Sequence, residues 1–140
     1  MQYKNLIIAG FFTAIIKALF GLALWIYLLD RILPTHLSHS AGIFRSKTNI
    51  IWWALILGSL AFASLITYVI AKAKTTSIKE AALIGGIIGF LVTLAVDSTM
   101  YAQVNLFGRT FIGIDVIASL VITSIMGATI GWVLTKKKML

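Results

Sequence analysis

Two carboxylates, Asp97 and Asp115, stand at the edges of apolar sequence, in the stretch VDSTMYAQVNLFGRTFIGID. A lysine, Lys17, interrupts another apolar stretch. The chain has only four acidic residues, so placing two of them here is an unusual use of charge. Charges at membrane depth cost several kcal/mol unless they are paired or hydrated, and they tend to face the interior of a helix bundle. The roles open to these three residues are acid/base chemistry, ion binding and a salt-bridged clamp between helices.

The composition indicates a protein that is solvated by lipid. Of its 140 residues 60% are hydrophobic and 11% are charged, and the mean hydropathy is +1.02. A soluble domain carries roughly 25% charged residues, so this chain cannot cover itself with polar surface. Because it has no cysteine, disulfides, thiolate metal sites and a cysteine nucleophile are excluded. The net charge of +8 lies at the ends of apolar runs, which favours anionic lipid over nucleic acid as a partner.

Four apolar segments are each long enough to cross a bilayer, which takes about 20 residues. They cover residues 5–29, 49–71, 81–104 and 111–135. The sequence therefore predicts an all-α integral membrane four-helix bundle, with residues 1–140 forming a single transmembrane domain. The first segment is interpreted as a retained span and not a signal peptide, because it is too long and no small-residue cleavage pattern follows it.

The basic residues predict which way the bundle faces. Seven of the twelve lysines and arginines fall near the amino terminus, between spans two and three, or in the tail, and four fall on the opposite side. This excess marks the cytoplasmic side of the membrane, so both termini are predicted to lie inside. Lys136, Lys137 and Lys138 are expected to contact anionic lipid headgroups there.

His36 and His39 lie in an outer loop without a clear third ligand, so neither a metal site nor a cofactor is predicted.

Small residues and a weak internal similarity bear on how the spans pack. Span one loosely resembles span three, and the end of span two resembles the end of span four. Two tandem helical hairpins therefore remain an alternative to four unrelated helices.

The GxxxG spacing in spans three and four predicts close helix packing. This packing is expected inside one bundle, and the alternative is a contact across a dimer. The positions are Gly85, Gly89, Gly127 and Gly131.

The rise of a helix places the three charged residues near one level. At 1.5 Å per residue, Lys17 lies about 18 Å and Asp97 about 24 Å above the cytoplasmic surface. Asp115 is about four residues into span four from outside, which again places it about 24 Å up in a core about 30 Å thick. The sequence thus predicts an outward-facing polar pocket framed by the aspartates, with the alternative that Asp115 complements the helix dipole at the start of span four. Lys17 is its expected counter-ion, and Thr99 and Tyr101 lie near the same level.

The segment SIKEAALIGGIIGFLVTLAVDST, followed by a carboxylate 18 residues after Asp97, resembles an uncharacterised family of small four-helix bacterial inner-membrane proteins. In that family span three ends in a Tyr-Asp-Leu-Thr-Asn-like motif and an aspartate opens span four, positions that Asp97, Thr99 and Asp115 match. The chain departs from the family at Val96, where the family has tyrosine, and at Lys17, where it tends to carry an acid. The family has no assigned activity, so the resemblance implies fold and location rather than function.

Three functions of different classes follow from these patterns. The first is a membrane module that binds or passes a small solute, a lipid headgroup or an ion. The second is a structural or accessory subunit of a larger membrane complex, or a homo-oligomer, in which the charges clamp the helices. The third is an intramembrane enzyme with Asp97 and Asp115 as acid and base. No nucleophile or catalytic motif accompanies the aspartates, so the chain is predicted not to be an enzyme.

Overall fold

The computed structural model describes residues 3–24, 49, 51–103 and 108–136, and almost all of these are helical. Three of its helices are long and apolar enough to cross a membrane, so this is an all-helical membrane protein. In the first helix the apolar part, Ile7–Ala23, is shorter, and the predicted continuation of span one past Leu24 lies outside the described residues. The helices are α1 (Tyr3–Leu24), α2 (Trp52–Lys72), α3 (Ile78–Gln103) and α4 (Arg109–Lys136).

The turn between α2 and α3 is built by local backbone chemistry. The Ser77 hydroxyl accepts a hydrogen bond from the Glu80 backbone N–H at 3.2 Å, and the Glu80 carboxylate accepts one from the Thr76 N–H at 3.0 Å. These bonds satisfy donors that the start of a helix leaves open, so α3 begins three residues before the predicted boundary. Ala73 caps the end of α2, and Lys74 follows in the left-handed conformation with φ 51°. This conformation commonly ends a helix.

The helices pack as two sequential antiparallel pairs, α1 with α2 and α3 with α4. The α3–α4 contact is the most extensive, and α4 also contacts α1 and α2. Within the described ranges, α1 and α3 do not approach each other closely. Many large apolar side chains face outward, as expected where lipid is the solvent. The buried core consists of Ala9, Ala14, Ala63, Ile66, Ile70, Ala81, Met126 and Ile130.

Hydroxyl side chains within the helices bond to their own backbone. Thr13, Thr67 and Thr129 each donate to the carbonyl oxygen four residues earlier, at distances of 2.8, 2.8 and 2.9 Å. This arrangement satisfies a polar group where no water is present to do so. Buried threonine is therefore compatible with these apolar helices, and a buried carboxylate is the feature that requires a separate explanation.

Candidate functional site

The α3–α4 contact is a ladder of small and polar residues that meet about once per helical turn. On each helix the contacting positions are four residues apart, so they lie along one face. The two faces run antiparallel, and each position on α3 meets one on α4. Counted from the start of α3, the rungs of this ladder are Ala81–Gly131, Gly85–Gly127, Gly89–Thr123, Thr93–Ser119 and Asp97–Asp115.

Glycine permits the close approach of α3 and α4 at the first rungs. A Cβ atom on Gly85 would lie 3.0 Å from the Cα of Gly127, and one on Gly131 would lie 2.7 Å from the Cβ of Ala81. A Cβ on Gly89 would collide with the facing side chain of α4. The structure thus places the four predicted packing glycines between two helices of one chain, which is the bundle-packing alternative.

The fourth rung is closed by hydroxyl groups. Thr93 Oγ1 donates to Ser119 Oγ at 2.6 Å, and Ser119 Oγ donates to the carbonyl oxygen of Gly89 at 3.4 Å. On the third rung, Thr123 Oγ1 donates to the carbonyl oxygen of Ser119 at 2.6 Å, a bond within α4. The first two bonds join α3 to α4, and the three together form a hydroxyl layer directly below the carboxyl groups. Sequence reasoning did not single out Thr93 or Ser119.

Asp97 and Asp115 form the fifth rung, and the structure brings these two predicted residues together. Their carboxyl groups lie close enough to act as hydrogen-bond partners. Asp97 is only 7% exposed, and aspartate is almost never buried to this extent unless it is paired. Its Oδ2 atom is buried and has no hydrogen-bond partner in the part of the chain that the structure describes. A carboxyl pair of one buried and one half-buried aspartate, with an unfilled acceptor, has the capacity to bind a proton, a cation or a donor group.

Tyr101 and Arg109 lie at the end of the ladder beyond the carboxyl pair. Arg109 Nε donates to the phenolic oxygen of Tyr101 at 3.0 Å, which ties the first turn of α4 to the last turn of α3. Tyr101 is one turn beyond Asp97, and both Tyr101 and Arg109 are exposed. The sequence indicated Tyr101 as a site residue, whereas Arg109 emerges only from the structure.

Thr99 lies close to the carboxyl pair in sequence but has its own partner. Its Oγ1 donates to the carbonyl oxygen of Ala95 at 2.7 Å, and the side chain is exposed. Two residues along a helix correspond to a rotation of about 200°, so Thr99 and Asp97 face different sides of α3. The structure therefore does not bring Thr99 into the ladder.

Lys17 lies apart from the aspartates. Its Nζ atom is 3.7 Å from the centroid of the Phe62 ring, in a cation–π contact between α1 and α2. Among the described residues no ion pair joins Lys17 to Asp97 or Asp115, and α1 does not pack on α3. The predicted counter-ion is thus not brought to the carboxyl pair, because the side of α1 that carries Lys17 faces α2.

The remaining predicted sites fall at the edge of the described chain or beyond it. The helix α4 ends at Lys136, and Lys137, Lys138, His36 and His39 lie outside the described residues. Contact of the lysine tail with lipid headgroups therefore stays a prediction. In the ranges that are described, no group of three or more histidine, aspartate or glutamate side chains is arranged to hold a metal ion.

Comparison of the chain with protein-family models, with curated proteins and with solved structures finds no match. The resemblance to a family of small four-helix inner-membrane proteins therefore stays a prediction.

Proposed function

We propose that this chain is a multi-pass membrane protein that binds a small cation at Asp97 and Asp115. The occupant is a proton, an inorganic ion, or the cationic group of a solute or lipid headgroup. The observation that carries this proposal is the buried Oδ2 of Asp97, which lacks a hydrogen-bond partner among the described residues and belongs to a carboxyl pair. In low-dielectric surroundings a positive charge is attracted to such a pair far more strongly than in water.

The protein is further proposed to lie in a bacterial inner membrane, with both termini in the cytoplasm. Support for the orientation comes from the basic residues, which are in excess at the amino terminus, between α2 and α3, and in the tail. In this orientation the connection between α3 and α4 faces outward. The carboxyl pair then lies in the outer part of the membrane, and its occupant arrives from outside.

Binding accounts for the carboxyl pair better than a structural clamp does. A clamp would join a carboxylate to Lys17, and that ammonium group instead lies over Phe62. The helices α3 and α4 already have glycine contacts and the Thr93–Ser119 hydrogen bond to hold them together. An accessory subunit of a larger complex remains the second candidate, and it predicts no dependence on a small cation. The proposal assigns the aspartates no catalytic step.

The test is the melting temperature of the purified full chain in detergent, since a ligand that binds only the folded state stabilises it by RT ln(1 + [L]/Kd). The probes are sodium, ammonium and ethanolamine chlorides, each against choline chloride at equal ionic strength, and a pH series. We expect the parent to respond to at least one probe and the double variant Asp97→Asn, Asp115→Asn not to respond. The matched control is Glu80→Gln, which changes an exposed acid at the other end of α3 and should behave like the parent. The proposal would be contradicted if the melting temperatures of the parent and the double variant responded identically to the three salts and to pH.

A further inference from the structure

We infer that the occupant of the carboxyl pair is a single proton, shared by Asp97 and Asp115. We infer also that this proton exchanges with water only at the end of the ladder where α3 connects to α4. The inference rests on the proposed function and specifies the ligand and the access route of the same site.

The chemistry of two adjacent carboxyl groups requires a proton between them. Ionised carboxylates only accept hydrogen bonds, and a carboxyl group donates only when it is protonated. Asp97 and Asp115 lie within hydrogen-bonding reach of each other, so one proton converts two repelling acceptors into a donor and an acceptor. The pair then carries one negative charge. Release of the proton to water leaves two negative charges, and uptake of a second proton leaves none.

The space around the pair favours a proton over a larger cation. Asp97 is 7% exposed, and its unpartnered Oδ2 atom is shielded from solvent. Calcium and magnesium ions take about six or more oxygen ligands, and within the described chain no third acidic or histidine side chain joins the two aspartates. One turn below the hydroxyl rung, even a methyl group on Gly89 would collide with Thr123. A proton needs no cavity.

The hydroxyl rung below the pair ends the path for a proton. Thr93 Oγ1 donates to Ser119 Oγ, which donates to the carbonyl oxygen of Gly89. A backbone carbonyl has no proton to pass on. Thr123, on the next rung, directs its own hydroxyl proton to the carbonyl oxygens of Ser119 and Leu120. The chain of hydroxyl donors therefore stops within one turn of the pair and does not continue toward the other end of α3.

At the opposite end of the ladder, the described residues beyond the carboxyl pair include two exposed polar side chains, Tyr101 and Arg109. Tyr101 lies one turn beyond Asp97, and its oxygen accepts a hydrogen bond from Arg109. Since a phenol has both a donor and acceptor sites, the Tyr101 O–H remains able to donate. Both side chains are exposed, and in the proposed orientation they lie at the outer end of α3 and α4, where the membrane meets water. The proton thus enters and leaves on the side of the α3–α4 connection.

Infrared spectroscopy of the full chain in proteoliposomes tests the occupant, because the C=O stretch distinguishes a carboxylic acid from a carboxylate. With four acidic side chains in the chain, one protonated carboxyl group is readily counted. We expect one carboxylic-acid band at neutral pH in the parent and in Glu80→Gln. The band should be absent from Asp97→Asn, Asp115→Asn. It should also be absent from each single variant, because the introduced amide supplies the donor that the proton supplied.

A pH jump applied to one face of the vesicle tests the route. The band should respond to a jump on the face that carries the α3–α4 connection and not to a jump on the other face. Absence of the band from the parent, its persistence in a folded double variant, or a response from the opposite face overturns the inference. If the band is absent while sodium or ammonium stabilises only chains with an intact pair, the proton assignment fails and the proposed function stands. If no probe distinguishes the double variant either, both fail.

Discussion

Asp97 on α3 and Asp115 on α4 occupy one rung of an antiparallel helix contact, one helical turn beyond the hydrogen bond between Thr93 and Ser119. Rungs four residues apart are separated by about 6 Å along the helix. The glycine rungs bring the helices together, and the polar rungs continue the same faces. A single register therefore sets both the packing and the carboxyl pair, so a slip of α3 against α4 would separate the aspartates.

The packing glycines should tolerate a methyl group differently from other glycines. Gly85→Ala should destabilise the chain by about 1–3 kcal/mol, because the added Cβ would lie 3.0 Å from the Cα of Gly127. At Gly58 no atom lies within 4 Å of such a Cβ. There Gly58→Ala should be neutral or stabilise by up to about 1 kcal/mol, because alanine is the better helix former. Unfolding in detergent measures both, and equal effects would refute close packing at Gly85.

The hydroxyl rung should appear as an energetic coupling between α3 and α4. In a double-mutant cycle, Thr93→Val and Ser119→Ala should couple by about 0.6 kcal/mol, the average for hydrogen bonds between membrane helices. Thr129 donates only to its own helix, so Thr129→Val with Ser119→Ala is the control and should show no coupling. A coupling no larger than the control would mean that the 2.6 Å bond between Thr93 and Ser119 contributes nothing to stability.

Lys17 should be coupled to Phe62 and not to the carboxyl pair. Because its Nζ lies 3.7 Å from the Phe62 ring centroid, Lys17→Met with Phe62→Leu should show a coupling of about 0.5–2 kcal/mol. Lys17→Met with Asp97→Asn should be additive within about 0.5 kcal/mol, as for sites without shared partners. Unfolding of the single and double variants gives both values. The reverse pattern would restore the counter-ion role that the sequence predicted for Lys17.

The absence of cysteine allows the orientation to be read with single thiols. Thr76 lies in the turn before α3, and Thr110 lies in the first turn of α4, where both are exposed. With both termini inside, a membrane-impermeant maleimide should label Thr110→Cys in intact cells and Thr76→Cys only after the cells are opened. Labelling of Thr76→Cys alone in intact cells would mean that the bundle is inverted and that the carboxyl pair faces the cytoplasm.

The shared level of Asp97 and Asp115 was predictable, because the helix rise converts sequence position into depth. The connection between α3 and α4 is also only a few residues long, which makes these helices antiparallel neighbours. The neighbour of Lys17 was not predictable in this way. Rise fixes the height of a side chain but not which helix it faces, and the apolar sequence of α1 does not specify that it packs on α2 and α4.

The ladder itself was partly visible in the sequence. Gly85, Gly89, Thr93 and Asp97 recur every four residues, a pattern that would have placed Thr93 on the face of the aspartate. Ser119 is four residues from Asp115 in the same way. Which position on α3 meets which position on α4 depends on the register between two helices, however, and spacing within one helix carries no information about that register.

The proposed site exists only if Asp97 and Asp115 face each other. The most direct measurement is oxidation of the double variant Asp97→Cys, Asp115→Cys, since a disulfide forms only between Cα atoms about 4.4–6.8 Å apart with suitable orientation. The control is Val96→Cys with Asp115→Cys, because Val96 is exposed and turned away from the ladder by about 100°. We predict a monomer without free thiols for the first pair and free thiols for the control. Free thiols in the first pair, or equal oxidation of both pairs, would contradict the proposed site.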